Sequence, residues 1–261
     1  MILRNPVMQA SRKSPVHRSF GMLIMLLLSQ LALPACSAQT VPGVKWYAGL
    51  KLGDFQASSV AAWRDALSQP WRLGNEPVSF SVSNSSNHAV VDRCDKLFPA
   101  VADGMRASGP DQAIFEGWTI KCEAVRILVD GAVPQKNFVD DFSLNETGIR
   151  ALPIGMAFVV SPDDERKSAS IQSKGGTLGG FLGDVKLEAL GKPDNRRTVV
   201  RDDSGASQLL SILAEGDFDH DGINDLLISS SNSMKGGSYH AAHLYIVSRL
   251  EAGGPLVLRR K

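Results

Sequence analysis

Four aspartates stand close together in Gly216-Asp217-Phe218-Asp219-His220-Asp221-Gly222-Ile223-Asn224-Asp225-Leu226. Counted from Asp217, they occupy positions 1, 3, 5 and 9 of a loop, with Gly222 at position 6. Carboxylates at alternate positions of a tightly wound turn can converge on one point. A hard cation such as calcium takes about six to eight oxygen ligands, and a carbonyl at position 7 commonly supplies one of them. Glycine at the sharp turn removes the side-chain clash that a left-handed backbone would cause. The candidate metal ligands are therefore Asp217, Asp219, Asp221, the Ile223 carbonyl and Asp225, and the candidate cofactor is calcium. The bland alternative is an acidic turn that holds no metal.

Position 12 is Ile228, where an EF-hand places a bidentate glutamate, so this is not an EF-hand. An aspartate at position 9 followed at once by an apolar strand resembles the calcium loops of FG-GAP and VCBS repeats. The resemblance is local to about residues 208–230. It implies that the four aspartates bind calcium between two strands of a sheet. Those families usually repeat the motif, whereas this chain has one copy, so a full propeller is not expected. Position 4 is often glycine in such loops. Here it is His220, which tolerates positive φ better than most residues.

Weaker constellations do not converge on chemistry. His240 and His243 are three apart but sit where loop and strand would aim them apart, so they are expected to be surface histidines. Lys174-Gly175-Gly176-Thr177-Leu178-Gly179-Gly180 lacks the Gly-Lys-Ser/Thr of a phosphate loop and is expected to be a flexible loop. No Gly-x-Ser-x-Gly elbow occurs. Asp163-Asp164-Glu165 and Asp202-Asp203 are expected to be solvated turns.

The N-terminus bears on where these groups would work. A basic segment ends at Arg18, and the apolar run Met22–Leu28 follows and continues to Leu33. Such a run is too short for a stable membrane span and has the form of a signal-peptide core. Leu33-Pro34-Ala35-Cys36 resembles the lipobox of bacterial lipoproteins, which implies lipidation of Cys36. Cleavage after Ala38 is the competing processing site. Removing the leader's Arg4, Arg12, Lys13 and Arg18 leaves 24 basic against 27 acidic residues. Neither balance gives the concentrated basic surface that nucleic-acid binding requires. The chain has 3 cysteines. With Cys36 set aside, Cys94 and Cys122 form an even pair, and in an oxidising compartment they are expected to be bridged.

The elements that must position these residues fall into two kinds. Val60, Trp63 and Leu67 recur at helical spacing, capped by Ser58 or Ser59 and ended by Pro70. Pro77–Val82 alternates like a strand. Val90, Val91, Cys94, Leu97, Phe98, Val101 and Met105 form a second helical stripe, which Pro99 should kink. Trp118, Cys122, Val125 and Val129 form a third, with a strand as the alternative for this segment. Later the chain changes character. Met156–Val160, Ser207–Leu213, Leu226–Ile228, His243–Val247 and Leu256–Leu258 are short apolar runs between turn residues, which suggests an antiparallel meander. The expected fold is α+β, with a signal peptide at 1–35, a tether at 36–57, a mainly helical part at 58–150 and a β-rich part with the calcium loop at 151–261.

Together these features predict an exported, calcium-stabilised, non-enzymatic protein of the cell envelope. It would act in the periplasm or outer membrane as a lipoprotein, or be secreted if not lipidated. Its partner would be a protein or envelope polymer, and an inhibitor or immunity role is one form of this by analogy alone. Membrane contact would run through a lipid anchor at most, and no nucleic acid is implied. The competing class is a calcium-dependent hydrolase of envelope polymers, marked by a cleft in which carboxylates or a Ser–His pair converge.

Overall fold

The computed structural model describes residues 43–185, 187–189, 196–202, 205–237 and 239–260. Cys36 and the leader lie outside these residues, as does Asp203. The chain from Thr40 to Lys261 forms one compact unit of mixed α+β structure.

A short strand β1 (Lys45–Trp46) opens the described chain, followed by α1 (Val60–Ala66). The Ser59 hydroxyl caps α1 by accepting from Ala62 N at 3.1 Å, which satisfies one of the amides that a helix start leaves open. Residues 43–57, placed by sequence within a tether, pack against the body: Leu50 and Leu52 are buried, and Trp46 Nε1 donates to the Ala57 carbonyl. Two hairpins come next, β2 (Arg72–Leu73) with β3 (Glu76–Pro77), and β4 (Phe80–Ser83) with β5 (His88–Val91). Val90 and Val91 thus belong to a strand rather than to the second helical stripe. The Asn84 side chain accepts from the amides of Ser86 and Asn87 and fixes the turn between β4 and β5. Helix α2 (Cys94–Ala102) runs through Pro99, and α3 (Asp111–Asp130) is the longest helix.

The remaining helices were harder to see in the sequence. Asn145 caps α4 (Glu146–Ala151). Met156–Val160 is not the expected strand. Ile154–Met156 is a single 3₁₀ turn, and the apolar side chains that follow continue in irregular chain. Pro153 opens the turn, and Met156 is fully buried with its carbonyl bonded to the Gln208 side chain at 2.8 Å. Asp163-Asp164-Glu165 is not an isolated turn but the first turn of α5 (Pro162–Ser173), where acidic groups face the positive end of the helix dipole. α5 buries none of its side chains, so it carried no apolar stripe. The glycine-rich segment closes α5 and starts α6 (Leu178–Leu182).

Strands β6 (Leu187–Ala189), β7 (Arg197–Arg201), β8 (Ala206–Gly216), β9 (Asp225–Met234), β10 (His240–Arg249) and β11 (Leu256–Arg260) form an antiparallel meander in the order β11-β10-β9-β8-β7-β6. β1 joins by pairing with the far end of β8. The sheet is covered on both faces. Leu227, Leu244 and Ile246 share a core with Trp63, Phe115 and Trp118 of the early helices. Leu226, Ile228, Tyr245 and Val247 share another with Ile149, Leu152, Met156 and Leu178. The alternation between clusters follows the two-residue period of a strand. In β8 the register shifts between Ile212 and Ala214, and the carbonyl of Leu213 is taken by Tyr47 N at 2.9 Å. Among the described residues, no helix is long and apolar enough to cross a membrane.

Cys94 and Cys122 are bonded, with a Cα–Cα distance of 5.4 Å, and tie the start of α2 to the middle of α3. Both are fully buried. The bridge closes a span of 28 residues, which the chain-entropy model values at about 3–4 kcal/mol. Mass spectrometry of unreduced peptides should therefore show the Cys94–Cys122 link. A Cys94→Ala/Cys122→Ala double variant should lose stability of that order in urea. Free thiols at both positions in protein purified under oxidising conditions would refute the bridge.

Candidate metal centre

The aspartate loop is the turn between β8 and β9, the two longest-paired strands of the sheet. Its conformation follows from its side chains. Asp217 accepts from Asp221 N and from Gly222 N, each at 3.0 Å, so its carboxylate winds the following residues around itself. Asp221 accepts from Ile223 N at 2.9 Å. His220 has φ 63° and Gly222 has φ 83°. The left-handed position expected at His220 is present, and glycine sits at the other one.

Asp217, Asp219 and Asp225 each place a carboxylate oxygen so that the three lie within 4.8 Å of one another. Asp217 is 4% exposed and Asp225 0%. Two full negative charges at such a separation repel by roughly 3 kcal/mol at an effective dielectric of 20, so the arrangement calls for a positive charge or a proton. The donors are all hard oxygens, the class that alkaline-earth cations prefer. The buried cluster can hold a metal ion. Asp221 stands outside this triplet. Its side chain and that of Asp219 turn toward Arg259 on β11, whose Nη2 donates to Asp221 Oδ2 at 3.0 Å and whose Nε donates to Asp219 Oδ2 at 2.5 Å.

Asp225 shows how tightly the loop is built in. Its Oδ2 accepts from Phe218 N at 2.8 Å, and its Oδ1 accepts from the hydroxyl of Ser248 on β10. Burial pushes its carboxyl up to about 6; the two hydrogen bonds oppose that shift, and the charges of Asp219 and Asp221 add to it. A second brace comes from the segment after α3. Ala132 and Asp217 exchange backbone hydrogen bonds, Gln135 N and Lys136 N both donate to the Gly222 carbonyl, and Asn224 N donates to the Lys136 carbonyl. Ile223 lies alongside Lys136 in a parallel bridge. Gly131 is needed for this approach, because a Cβ there would sit 2.9 Å from the Phe218 ring. Ser248, Arg259 and residues 131–137 were not identifiable from sequence. Their contacts are long-range, and no short motif marks them.

The other sequence candidates do not join this centre. His240 and His243 fall on opposite faces of β10. His240 Nε2 lies 3.1 Å from Ser231 Oγ on β9, and Glu116 Oε2 lies 3.9 Å from its Nδ1. His243 lies against Tyr245, with ring centroids 6.0 Å apart. The Ser231–His240 pair has the residue types of a nucleophile and its base. Ser231 nevertheless sits in mid-strand, in register with Leu209 on one side and Ala242 on the other. Asp202 accepts from Ala206 N beside the start of β8.

No family model, no curated protein and no solved structure matches the chain.

The Asp225 shift has a definite sign. Its carboxyl ionises at a higher pH in the fold than in the unfolded chain, so the native state holds the extra proton between about pH 4 and 6. The contribution of Asp225 to stability therefore falls as pH rises through that interval. In chelator, melting of the parent protein followed from pH 4 to 7.5 should show this loss. Asp225→Asn keeps an acceptor for Phe218 N and cannot ionise, so its profile should be flatter than the parent's. Identical profiles would show that Asp225 is not the group responsible.

Proposed function

We propose that this chain is an exported, calcium-stabilised, non-enzymatic binding protein of the cell envelope. The observation that carries the reading is the setting of the Asp217, Asp219 and Asp225 carboxylates. They converge inside a turn that is braced from three directions, by Ser248, by residues 132–136 and by the turn's own amides. A cation there would tie a structural turn together. Calcium is the ion favoured by an all-oxygen donor set with alternate aspartates, and the local likeness to FG-GAP and VCBS loops points the same way.

Export is supported by the N-terminal sequence and by the Cys94–Cys122 bridge, since such bridges persist in oxidising compartments. A binding role is supported by an open groove of about 330 Å³ between α3 and the first half of β10, lined by Phe115, Glu116, Ile120, Tyr239 and His240. Beside it, β11 pairs only with Ile246–Arg249 of β10. Among the described residues, His240–Leu244 therefore has a strand neighbour on one side only. Such an edge offers main-chain hydrogen bonds to an incoming strand.

Calcium at ten times its dissociation constant should stabilise the fold by about 1.4 kcal/mol. The melting temperature should therefore rise in millimolar calcium and fall in chelator. Asp217→Ala and Asp219→Ala should abolish that response, while Asp163→Ala, on the exposed first turn of α5, should keep it. A parent protein that melts identically in calcium and chelator, with no heat of binding, would reduce the motif to an acidic turn.

Envelope extracts test the rest of the reading. The parent should carry a lipid label that Cys36→Ser abolishes, and it should retain a stoichiometric partner from the extract. Equal labelling of parent and variant, or none in either, would remove the lipid anchor. Recovery of the full-length, uncleaved chain from the cytoplasm would remove export.

A further inference from the structure

The loop already binds a cation supplied by the protein itself. Arg259 holds Asp219 Oδ2 and Asp221 Oδ2, at positions 3 and 5 of the motif, in two charge-assisted hydrogen bonds. Its placement is built into the sheet. Leu258 pairs with Val247 and Arg260 pairs with Ile246, so Arg259 is the extra residue at the register shift between β10 and β11. A bulge of this kind leaves its extra residue out of the ladder and re-aims the side chain. Here the side chain is aimed at the metal loop. The consequence for ligation is direct. Asp221 is the one motif carboxylate left out of the Asp217–Asp219–Asp225 triplet, and it is one of the two that Arg259 holds. An oxygen that accepts from a guanidinium cannot offer the same lone pair to a metal. A divalent ion in the triplet would also repel the guanidinium.

We propose that Arg259 is a built-in competitor for the metal, so that loading the loop and clamping the end of β11 exclude each other. The inference rests on the metal reading above. When the ion enters, Asp221 turns inward, Arg259 is released, and β11 loosens. β11 is suited to that role. It is the terminal strand of the described sheet and pairs with β10 at four positions, interrupted by the bulge. The metal would thereby stiffen the β8–β9 turn while freeing a strand end beside the open part of β10. Arg259 would also set the affinity of the site, because each ion must displace it.

The test is calcium calorimetry on the parent, Arg259→Gln and Arg259→Lys, with hydrogen exchange of β11 in calcium and in chelator. Arg259→Gln removes the competing charge at similar length and should bind calcium about two- to fivefold more tightly. Arg259→Lys keeps the charge without the two-pronged geometry and should fall between the two. In the parent, calcium should speed exchange in Leu256–Arg260 and slow it in Asp217–Asp225. In Arg259→Gln, β11 should exchange fast even in chelator. If the parent binds calcium but Arg259→Gln binds it equally or more weakly, the competitor role is overturned and the metal reading stands. Calcium that protects β11 in the parent has the same meaning. If no protein of the set binds calcium, the metal reading fails and this proposal fails with it.

Discussion

A sheet whose strands are apolar on both faces has to be covered twice, and most of this architecture follows from that demand. β8 and β9 carry buried side chains on alternate faces, Leu226 and Ile228 to one side and Leu227 to the other. The helices that precede the sheet meet the demand in two groups. α1, α2 and α3 cover one face, with Trp63, Phe115 and Trp118 as their largest contributions. α4, the 3₁₀ turn and α6 cover the other. The disulfide belongs to the first group and holds α2 against α3. Because both faces are closed, the chemistry available to the sheet is pushed to its ends and edges, and the acidic loop stands at one of those ends.

Polar groups trapped by that double covering had to be satisfied internally. Gln208 and Ser230 lie inside the sheet, where Gln208 bonds to Ser230 Oγ and to the Met156 carbonyl, and Ser230 bonds to Asn232. Asp225 is the costliest case, a carboxylate with no exposed surface. It is held by a backbone amide and a hydroxyl, neither of which carries charge. Burial of this group links the packing of the sheet to the behaviour of the loop.

How far the sequence could be followed depended on whether a signal was local. Strands β8 to β11 were legible as apolar runs, and α1 and α3 as stripes at helical spacing. Cys94 and Cys122 were legible as the even pair left once Cys36 was set aside. β9 was underestimated because its second half, Ser229–Met234, is polar, and it owes its strand state to pairing with β8 and β10. α5 was missed because it buries nothing; its signals were the Ser161 cap, Pro162 and three acids. Met156–Val160 misled because a short apolar run has no period long enough to separate a strand from other buried chain. In the loop, the spacing of Asp217, Asp219 and Asp225 was sufficient to foresee their convergence. The diversion of Asp221 was not foreseeable, since it depends on an arginine that the β10–β11 bulge delivers.

Beside the backbone bond from Asn224 to Lys136, the Asn224 side chain donates to Asn137 Oδ1, which joins residues 87 apart in sequence. Closing so long a loop costs chain entropy before any contact rewards it. The local contacts of the aspartate turn need nothing from afar, but its long-range bracing is complete only once the segment after α3 lies beside it. Contacts that close only after the rate-limiting step slow unfolding more than they speed folding, so bracing of this long-range kind would act mainly on how fast the finished molecule comes apart.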